Sequence, residues 1–459
     1  MKIKFLKQII LVAGIATTTV SCSSDFVDTE FGQSVEQAPL KSATEVESFV
    51  RGIYTSMRSS TYYGRDFSVY AEVRSDEMFS NGYAGYFNSV SNYTMTSSDA
   101  YAGDTYKQIY TAVAKANIVI NTDIAGITGS ANDKKEVLYR QGQAHALRAL
   151  FFFDLMRLYG QKYTGGNLGV VMPLSYDPKG SQARATIAEN ETQIEADFAK
   201  GLSLMKENSA FNNPSAKTEL SIDAVKSLMT RYFLYKADYA KVRSLVSEIV
   251  ESGNYGVIPS DSFVGSWKAT EQNNSIFELS VGVAGSNGTT SIGYIYNGDG
   301  YGNTVMQPSV YNSYAAGDVR KNIVDYIAAY DEYYISGKYP DLEGTDNVKI
   351  ARIEEILLNG VEAELNGGSP EKALEYYNMI QVNRGLAKAT SVTMDLLKVE
   401  RTKELIGEGF RMWDMLRWGQ SINRPDGANA DKNLLAFPIP RGETDIAGSK
   451  VVSNPGYDN

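Results

Sequence analysis

The 459-residue chain has very few of the side chains that most metal sites and nucleophilic active sites need. It contains one cysteine, one histidine (His145) and three tryptophans. A structural zinc site takes four cysteine or histidine ligands, and a nucleophile system pairs a base such as histidine with serine or cysteine. One residue of each kind leaves almost no material for either arrangement. We therefore predict no metal and no other cofactor, and an enzyme made from this chain would have to rely on carboxylates or tyrosine.

Long apolar runs are equally scarce. No segment after the N-terminus approaches the roughly 18 consecutive apolar residues that a membrane-spanning helix needs. At the N-terminus itself, Lys2, Lys4 and Lys7 precede a short apolar stretch from Ile9 to Ala16. Basic residues followed by such a short apolar run are typical of a secretory signal rather than of a membrane span. The sequence predicts export, with any membrane attachment made through a lipid.

The lone cysteine, Cys22, stands just beyond this signal. A cysteine at this place is typical of bacterial lipoproteins, in which the thiol is lipidated and becomes the new N-terminus. Ser21 is a suitable small residue before the cysteine, whereas Thr19 occupies a position that usually holds leucine. The alternative is cleavage near Ser21 by the ordinary signal peptidase, which would leave a free thiol. We predict a signal peptide over residues 1–21, lipidation of Cys22 and a polar tether over residues 22–43.

Positive charge is in deficit, with 44 lysines and arginines against 54 aspartates and glutamates, and a net charge of −10. Nothing in this balance attracts a phosphate backbone, so we predict no nucleic-acid partner. Tyrosine, in contrast, is abundant, with 31 residues. Its ring offers a flat apolar face and a hydroxyl, a combination that suits polar, hydrated ligands as well as protein cores.

Helical periodicity dominates much of the chain. Apolar residues recur at three- and four-residue steps over residues 43–57 and 106–120, which predicts a helix in each segment. Asp133 is typical of the first turn of another helix, and Thr186 followed by Glu189 forms a capping box ahead of a further one. The fold is therefore predicted to be mostly α, with few and short strands.

Two segments, residues 221–251 and 349–384, each contain two helices of about four turns joined by a tight turn. This outline is typical of tetratricopeptide-like helix pairs that stack into an α–α superhelix. Between them, residues 254–348 change to glycine, asparagine and tyrosine, which indicates an irregular, loop-rich insert. We predict that one domain spans residues 44–459.

Two loop-rich regions, residues 59–103 and 254–348, carry the candidate ligand-binding residues. Both combine tyrosine with asparagine, glycine and serine. The C–H face of a sugar packs on an aromatic ring, while its hydroxyls hydrogen-bond to amides and carboxylates. The alternative is that the rings cover the helical body and the glycines only make turns. We predict that the two loops bind an oligosaccharide through eight residues: Asn81, Tyr83, Tyr86, Tyr294, Tyr296, Asn297, Asp299 and Tyr301.

A long charged helix is predicted from Met394 to Trp418, with Glu400, Glu404 and Glu408 on one face. Paired carboxylates that flank a sugar can hydrolyse a glycosidic bond, so a glycoside hydrolase is an alternative function. Neighbours on one helix rarely flank a substrate from both sides, however, and we predict no enzymatic activity. We favour ion pairs that hold the helix in place and that involve Arg401, Arg411, Asp414 and Arg417.

Four stretches of the sequence form a combined pattern. They are the lipoprotein start ending at Cys22, the segment Gln143–Gly160 (QAHALRALFFFDLMRLYG), the segment Glu400–Gly419 (ERTKELIGEGFRMWDMLRWG), and the tail with Phe437–Pro440 and Asn454–Tyr457. The four stretches occur in this order and span nearly the whole chain. Together they resemble the motifs of the SusD/RagB family of outer-membrane nutrient-uptake lipoproteins.

The resemblance implies a scaffold of tetratricopeptide-like helix pairs, with an irregular insert that carries much of the ligand surface. It also implies a surface-exposed lipoprotein of the outer membrane that binds a glycan and delivers it to a TonB-dependent, SusC-like transporter. It does not identify the ligand, because the loops vary between family members. A helical-repeat adaptor that binds only protein or peptide is the second alternative function.

Overall fold

Helices make up most of the regular structure in the computed structural model, which describes residues 38–177, 180–424, 427 and 431–457. In chain order, the helices are α1 (Ala43–Met57), α2 (Asp66–Val73), α3 (Asn88–Ser91), α4 (Ala100–Ile120), α5 (Ala131–Tyr159), α6 (Ile187–Glu207), α7 (Ile222–Tyr235), α8 (Tyr239–Glu251), α9 (Phe263–Ser266), α10 (Ile292–Tyr296), α11 (Pro308–Ser313), α12 (Ile353–Leu365), α13 (Pro370–Val382), α14 (Met394–Leu405), α15 (Arg411–Arg417) and α16 (Arg441–Thr444). Short 3-10 helices lie at Ser209–Phe211, Val283–Gly285, Gly288–Thr290, Val319–Ile323 and Lys432–Leu435.

Side-chain caps fix where the long helices begin. Ahead of α6, Thr186 Oγ1 accepts the Glu189 backbone N–H at 3.2 Å, and the Glu189 carboxylate accepts the Thr186 N–H at 2.8 Å. Ser130 and Asp133 form the same reciprocal pair ahead of α5. Each pair satisfies backbone N–H groups that have no partner within the helix. The capping box predicted at Thr186 is confirmed, and the helix predicted around Asp133 begins slightly earlier, at Ala131.

The 29-residue helix α5 lies at the centre of the helical body. It packs between α4 and α6, and its residues from Gln143 to Tyr159 are buried apart from the half-buried His145. Gly142 and Gly201 let α5 and α6 approach closely, because a Cβ on Gly142 would lie 2.8 Å from the Gly201 carbonyl oxygen. The helix pairs α7–α8 and α12–α13 pack against one another through α8 and α12. The prediction of a mostly α fold built from helix pairs is confirmed.

The single helix predicted from Met394 to Trp418 is wrong, because the chain turns between α14 and α15. Gly407 and Gly409 take φ values of +80° and +86°, in the left-handed region that favours glycine. A side chain on Gly409 would also meet the Ser68 Cα at 2.7 Å. The turn places Glu408 outside both helices, so the three glutamates do not form one continuous helical face.

Two further segments differ from their predicted type. The helix predicted to start at Lys349 begins at Ile353, because Val348–Arg352 form strand β6. Within the first loop-rich region, residues 66–73 form α2, and all eight of its residues are buried. A helix buried on every side has no continuous polar face, so its sequence, DFSVYAEV, lacks the amphipathic pattern from which a helix is predicted.

Two small sheets lie among the helices. Their strands are β1 (Met78–Ser80), β2 (Ser275–Leu279), β3 (Thr304–Met306), β4 (Asp325–Ile327), β5 (Glu332–Tyr334) and β6 (Val348–Arg352). In the first sheet the strand order is β1-β3-β5-β4, with every pair antiparallel. In the second, β2 pairs with β6. The first sheet joins the two tyrosine-rich regions, because β1 belongs to one region and its other three strands to the other.

From Leu40 onward the chain forms one compact unit. Among the described residues, no helix combines the length and the apolar character needed to cross a membrane. The predicted signal peptide, Cys22 and most of the predicted tether lie outside the described residues, and they stay predictions.

Candidate functional site

The two tyrosine-rich loops meet where β1 pairs with β3. Just past β1, the Asn81 backbone N–H donates to the Asn303 carbonyl oxygen at 3.1 Å. The Asn81 side chain continues the junction, because its Nδ2 donates to the Gly302 carbonyl oxygen at 2.8 Å and to Glu332 Oε2 at 3.2 Å. One asparagine side chain therefore links the first loop to two segments of the second region.

Asn303 is fully buried and stabilises the same junction through hydrogen bonds from the second loop to the first. Its Oδ1 accepts the Tyr86 backbone N–H at 3.0 Å, and its Nδ2 donates to the Tyr86 carbonyl oxygen at 2.9 Å. Nδ2 also donates to Ser80 Oγ at 2.8 Å. Since every polar atom of this buried amide is paired, the backbone that carries the Tyr86 ring is held in place.

Five tyrosines gather at this junction, and we call them the tyrosine surface: Tyr83, Tyr86, Tyr294, Tyr301 and Tyr330. The Tyr301 ring centroid lies 5.2 Å from that of Tyr86 and 4.8 Å from that of Tyr294. The centroids of Tyr83 and Tyr330 lie 5.7 Å apart. Three of the rings are open to solvent, with Tyr83 66% exposed, Tyr330 57% and Tyr301 38%.

A cation supports one edge of the tyrosine surface. The guanidinium carbon of Arg65 lies 5.4 Å from the Tyr86 ring centroid. Arg65 is itself buried and paired with Asp66 at 2.5 Å. Burial raises the pKa of Asp66 to about 6, although the neighbouring Arg65 guanidinium acts in the opposite direction.

Two of the eight predicted contact residues do not reach this surface. Tyr296 is 0% exposed, its ring packs on Tyr339 with centroids 4.9 Å apart, and its hydroxyl has no hydrogen-bond partner. Its prediction as a stacking residue is corrected, since neither face of the ring is open. Asn297 is also buried, and its Oδ1 accepts the Asp299 backbone N–H at 2.9 Å, so it shapes the loop. Asp299 itself is exposed.

Sequence reasoning missed three residues that build the site, namely Tyr330, Asn303 and Glu332. Glu332 is buried, and it accepts hydrogen bonds from Asn81 and from the Tyr334 hydroxyl. Asn303 lies two residues after Tyr301 in the second region, and Tyr330 and Glu332 belong to the tyrosine-rich segment YDEYY over residues 330–334. Its place beside the loops depends on the pairing of β5 with β3, which composition does not report.

Glu400 and Glu404 are buried, whereas Glu408, whose side chain is 9% exposed, lines a cavity beside Lys338. Glu404 is buried among three arginines, with Arg384 Nε 2.9 Å from its Oε2, Arg352 Nη1 2.7 Å from its Oε1 and Arg320 Nη1 3.0 Å from its Oε2. Burial alone would raise the pKa of Glu404, but these guanidinium groups outweigh it and hold the pKa well below its usual value.

The other two glutamates belong to the same buried network. Glu400 pairs with Arg320 at 2.5 Å and with Lys403 at 2.7 Å. Glu408 accepts from Lys338 Nζ at 2.6 Å, and Arg352 Nε donates to its second oxygen at 2.8 Å. Burial opposes ionisation in both, yet the adjacent cations lower the pKa of each carboxyl. Carboxylates that stay ionised and enclosed are unsuited to donate a proton to a leaving group.

The favoured ion-pair role of this segment is confirmed for Arg401, Arg417 and Asp414, whereas Arg411 pairs outside the segment. Arg401 pairs with Asp414 at 2.7 Å, and Arg417 pairs with Asp414 at 2.8 Å and with Glu362. Arg411 instead reaches Asp76 at 2.6 Å, just ahead of β1. Within the described ranges, no group of three or more histidine, cysteine, aspartate or glutamate residues is placed to hold a metal ion.

Comparison with known proteins gives two matching family models. The model described as "Starch-binding associating with outer membrane" matches residues 25–234, and the model described as "SusD family" matches residues 330–457. Among relatives, the chain is 21% identical over 513 aligned positions to SusD-like protein P2 of Formosa agariphila. That alignment covers 96% of this chain and 97% of the relative.

Solved structures share the fold along nearly its whole length. A SusD superfamily protein of Bacteroides vulgatus is 26% identical, with a TM-score of 0.81 over 92% of this chain and 100% of the other. Surface glycan-binding protein A of Bacteroides fluxus is 20% identical, with a TM-score of 0.76 over 91% and 100% of the two chains. The resemblance drawn from the four sequence stretches is confirmed. The chain belongs to the SusD/RagB family.

Proposed function

We propose that this protein binds an oligosaccharide on the tyrosine surface, outside the outer membrane, and delivers it to a TonB-dependent, SusC-like transporter. The observation that carries the proposal is the meeting of the two loops through β1 and β3. It sets exposed rings from both loops side by side, with the exposed carboxylate of Asp299 on the same loop as Tyr301.

The chemistry of this surface fits a sugar chain. Tyr83, Tyr301 and Tyr330 offer partly open ring faces on which the C–H face of a pyranose can pack. Asp299 provides a carboxylate for sugar hydroxyls, and Tyr hydroxyls can both donate and accept hydrogen bonds. The matched family description names starch, and the neighbour from Bacteroides fluxus is named for glycan binding, which supports a carbohydrate as the ligand.

Attachment and delivery complete the proposal. Lipidation of Cys22 would hold the protein at the membrane, and the segment between Cys22 and Leu40 would let the binding unit move while it stays beside the transporter. The family description places its members in association with the outer membrane, which supports this localisation.

Binding without catalysis is the mode of action that we propose. Cations pair with the carboxylates of Glu400, Glu404 and Glu408, the first two of which are buried, and the hydrolase alternative rested on these residues. The tyrosine surface would set specificity through the spacing of its rings and not through a reaction.

Calorimetric titration tests the proposed function. The chain from Ser23 onward, which contains every described residue, is titrated with starch, laminarin, xylan and pectin. We expect at least one of them to bind with micromolar to millimolar affinity and without release of reducing ends. A chain that binds none of these glycans but still co-purifies with an outer-membrane transporter would support the protein-only adaptor instead.

A further inference from the structure

The β4–β5 hairpin carries aromatic side chains on both of its faces. Glu332 and Tyr334 lie on the face toward the two loops, where Glu332 contacts Asn81 and the Tyr334 ring lies beside Gly302. Tyr333 stands between them along β5, so its side chain points to the opposite face. Tyr326 on β4 is the cross-strand partner of Tyr333 and shares that opposite face.

Three rings form a ladder on this second face, and we call it the tyrosine ladder: Tyr311, Tyr333 and Tyr326. The centroids of Tyr311 and Tyr333 lie 4.4 Å apart with an interplanar angle of 25°, and those of Tyr333 and Tyr326 lie 4.9 Å apart at 38°. At one end of the ladder, Lys321 Nζ lies 4.6 Å from the Tyr311 ring centroid. At the other end Tyr326 is 49% exposed, so its outer side is open.

The open ring is held in a defined orientation before any ligand arrives. The Tyr326 hydroxyl donates to Asp331 Oδ1 at 2.8 Å across the hairpin, while Tyr333 supports the ring from behind. A flat side chain that is already fixed loses little conformational entropy on binding. An exposed tyrosine without such support would be a weaker binding group.

We propose that the tyrosine ladder is a second carbohydrate-binding platform, with Tyr326 as its stacking residue, and that a long oligosaccharide reaches it from the tyrosine surface. This inference rests on the proposed function. Tyr330 belongs to the tyrosine surface and lies one turn from Tyr326 on the same hairpin. The turn between them consists of the exposed Ala328 and Ala329, whose methyl groups leave the hairpin tip unobstructed.

The occupant that fits is a sugar chain and not a protein. The exposed apolar area is essentially one ring, whereas a specific protein interface takes about 800 Å² from each partner. The charged side chain of Asp331 lies beside the ring, and Lys321 lies at the far end of the ladder over Tyr311; both suit the hydroxyls of a carbohydrate.

The test compares ligand lengths by calorimetry on the chain from Ser23 onward. The probes are short and long oligosaccharides cut from starch, laminarin, xylan and pectin. For the wild type we expect higher affinity for the long member of the series that binds. Tyr326→Ala should weaken binding of the long member about five- to tenfold and leave binding of the short member unchanged. Tyr326→Phe, which keeps the ring, should retain most of the wild-type affinity for the long oligosaccharide. Tyr176→Ala, at an unrelated exposed tyrosine, should leave the affinity for both lengths unchanged.

The outcomes separate this inference from the proposed function. Equal affinities of wild type and Tyr326→Ala for the long oligosaccharides would overturn the second platform and leave glycan binding intact. A wild type that binds neither short nor long members of any series would overturn both. A Tyr326→Ala protein that loses short and long binding equally would also overturn the inference, because Tyr326 would then belong to the first surface.

Discussion

Asn303 holds Tyr86 by both polar atoms of its amide, accepting the Tyr86 backbone N–H at 3.0 Å and donating to the Tyr86 carbonyl oxygen at 2.9 Å. The contact joins positions that are 217 residues apart in sequence. The tyrosine surface depends on it, because the rings of Tyr86 and Tyr301 come from the two segments that Asn303 connects.

Replacing this amide should therefore impair both stability and binding. Asn303→Ala leaves the Tyr86 N–H without its partner and the Tyr86 carbonyl with only the Ser80 hydroxyl, and we expect a loss of about 2 kcal/mol in the free energy of unfolding. Urea denaturation measures the loss, and calorimetry with the bound glycan measures the accompanying drop in affinity. The exposed Asn322 provides the matched control, since Asn322→Ala should change neither quantity. An Asn303→Ala protein with wild-type stability would contradict the role of this contact.

Removing the most exposed ring should affect binding alone. Tyr83→Ala is expected to lower glycan affinity about five- to tenfold, because a stacking face is lost, while the midpoint of thermal unfolding stays unchanged. Tyr296→Phe separates exposed from buried tyrosines. It removes only an unpaired buried hydroxyl, so affinity should stay at the wild-type value, and stability should not fall. A loss of glycan affinity in Tyr296→Phe would show that Tyr296 contributes to ligand binding.

Glu404→Gln should destabilise the fold and reveal no catalytic role. The substitution removes the buried carboxylate that Arg320, Arg352 and Arg384 share, and removing one partner of a buried ion pair costs about 3–5 kcal/mol. Chemical denaturation measures the change. Glu375→Gln, on an exposed helix surface, should stay within about 0.5 kcal/mol of the wild type. Release of reducing sugar by the wild type, abolished in a folded Glu404→Gln protein, would instead support the hydrolase alternative.

Asp346 should make stability fall as the pH rises through the mildly acidic range. Burial, and after it the nearby Asp341 carboxylate, raises the pKa of Asp346 from 3.8 to about 6. A raised pKa means that the folded state binds the proton more tightly than the unfolded chain does. The resulting stabilisation is complete below pH 3.8 and is lost as the pH rises through about 6. Urea denaturation across this window should show a smaller decline for Asp346→Asn than for the wild type, and equal declines would refute the assignment.

Cys22 is the remaining residue to test. If the thiol is lipidated, cells grown with labelled palmitate should incorporate the label into the wild-type protein and not into Cys22→Ala. The variant should leave the membrane fraction, because it would lack the proposed lipid attachment. Unchanged labelling of Cys22→Ala would show that the anchor lies elsewhere.

The helix starts were predictable because their signals are local. Ser369 Oγ accepts the Lys372 N–H at 3.1 Å ahead of Pro370, and all the residues involved lie within one turn. Strand β6 was not predictable in the same way, because its partner β2 lies far earlier in the chain. The turn at Gly407 and Gly409 was missed because the charged residues around it keep a helical spacing.

The candidate site, too, was predictable where its signal is local in sequence and not where it depends on contacts between distant segments. Composition identified both tyrosine-rich loops, since Tyr83, Tyr86 and Tyr301 do gather at one place. It did not separate Tyr294 from Tyr296, which lie two residues apart on the short helix α10 and differ only in their packing. Nor did it find Tyr330, because that ring reaches Tyr83 only through the pairing of β5 with β3.

The sheet that joins the loops has four strands of only three residues each. So few interstrand hydrogen bonds make it easier to open than the long buried helices around it, and its amide protons should exchange faster than those of α5. A glycan that spans both loops would then act as a cross-link between them. Capture of the ligand would stiffen a sheet that opens more easily than the helices around it, and an occupied receptor would differ from an empty one in rigidity even where the two have the same shape.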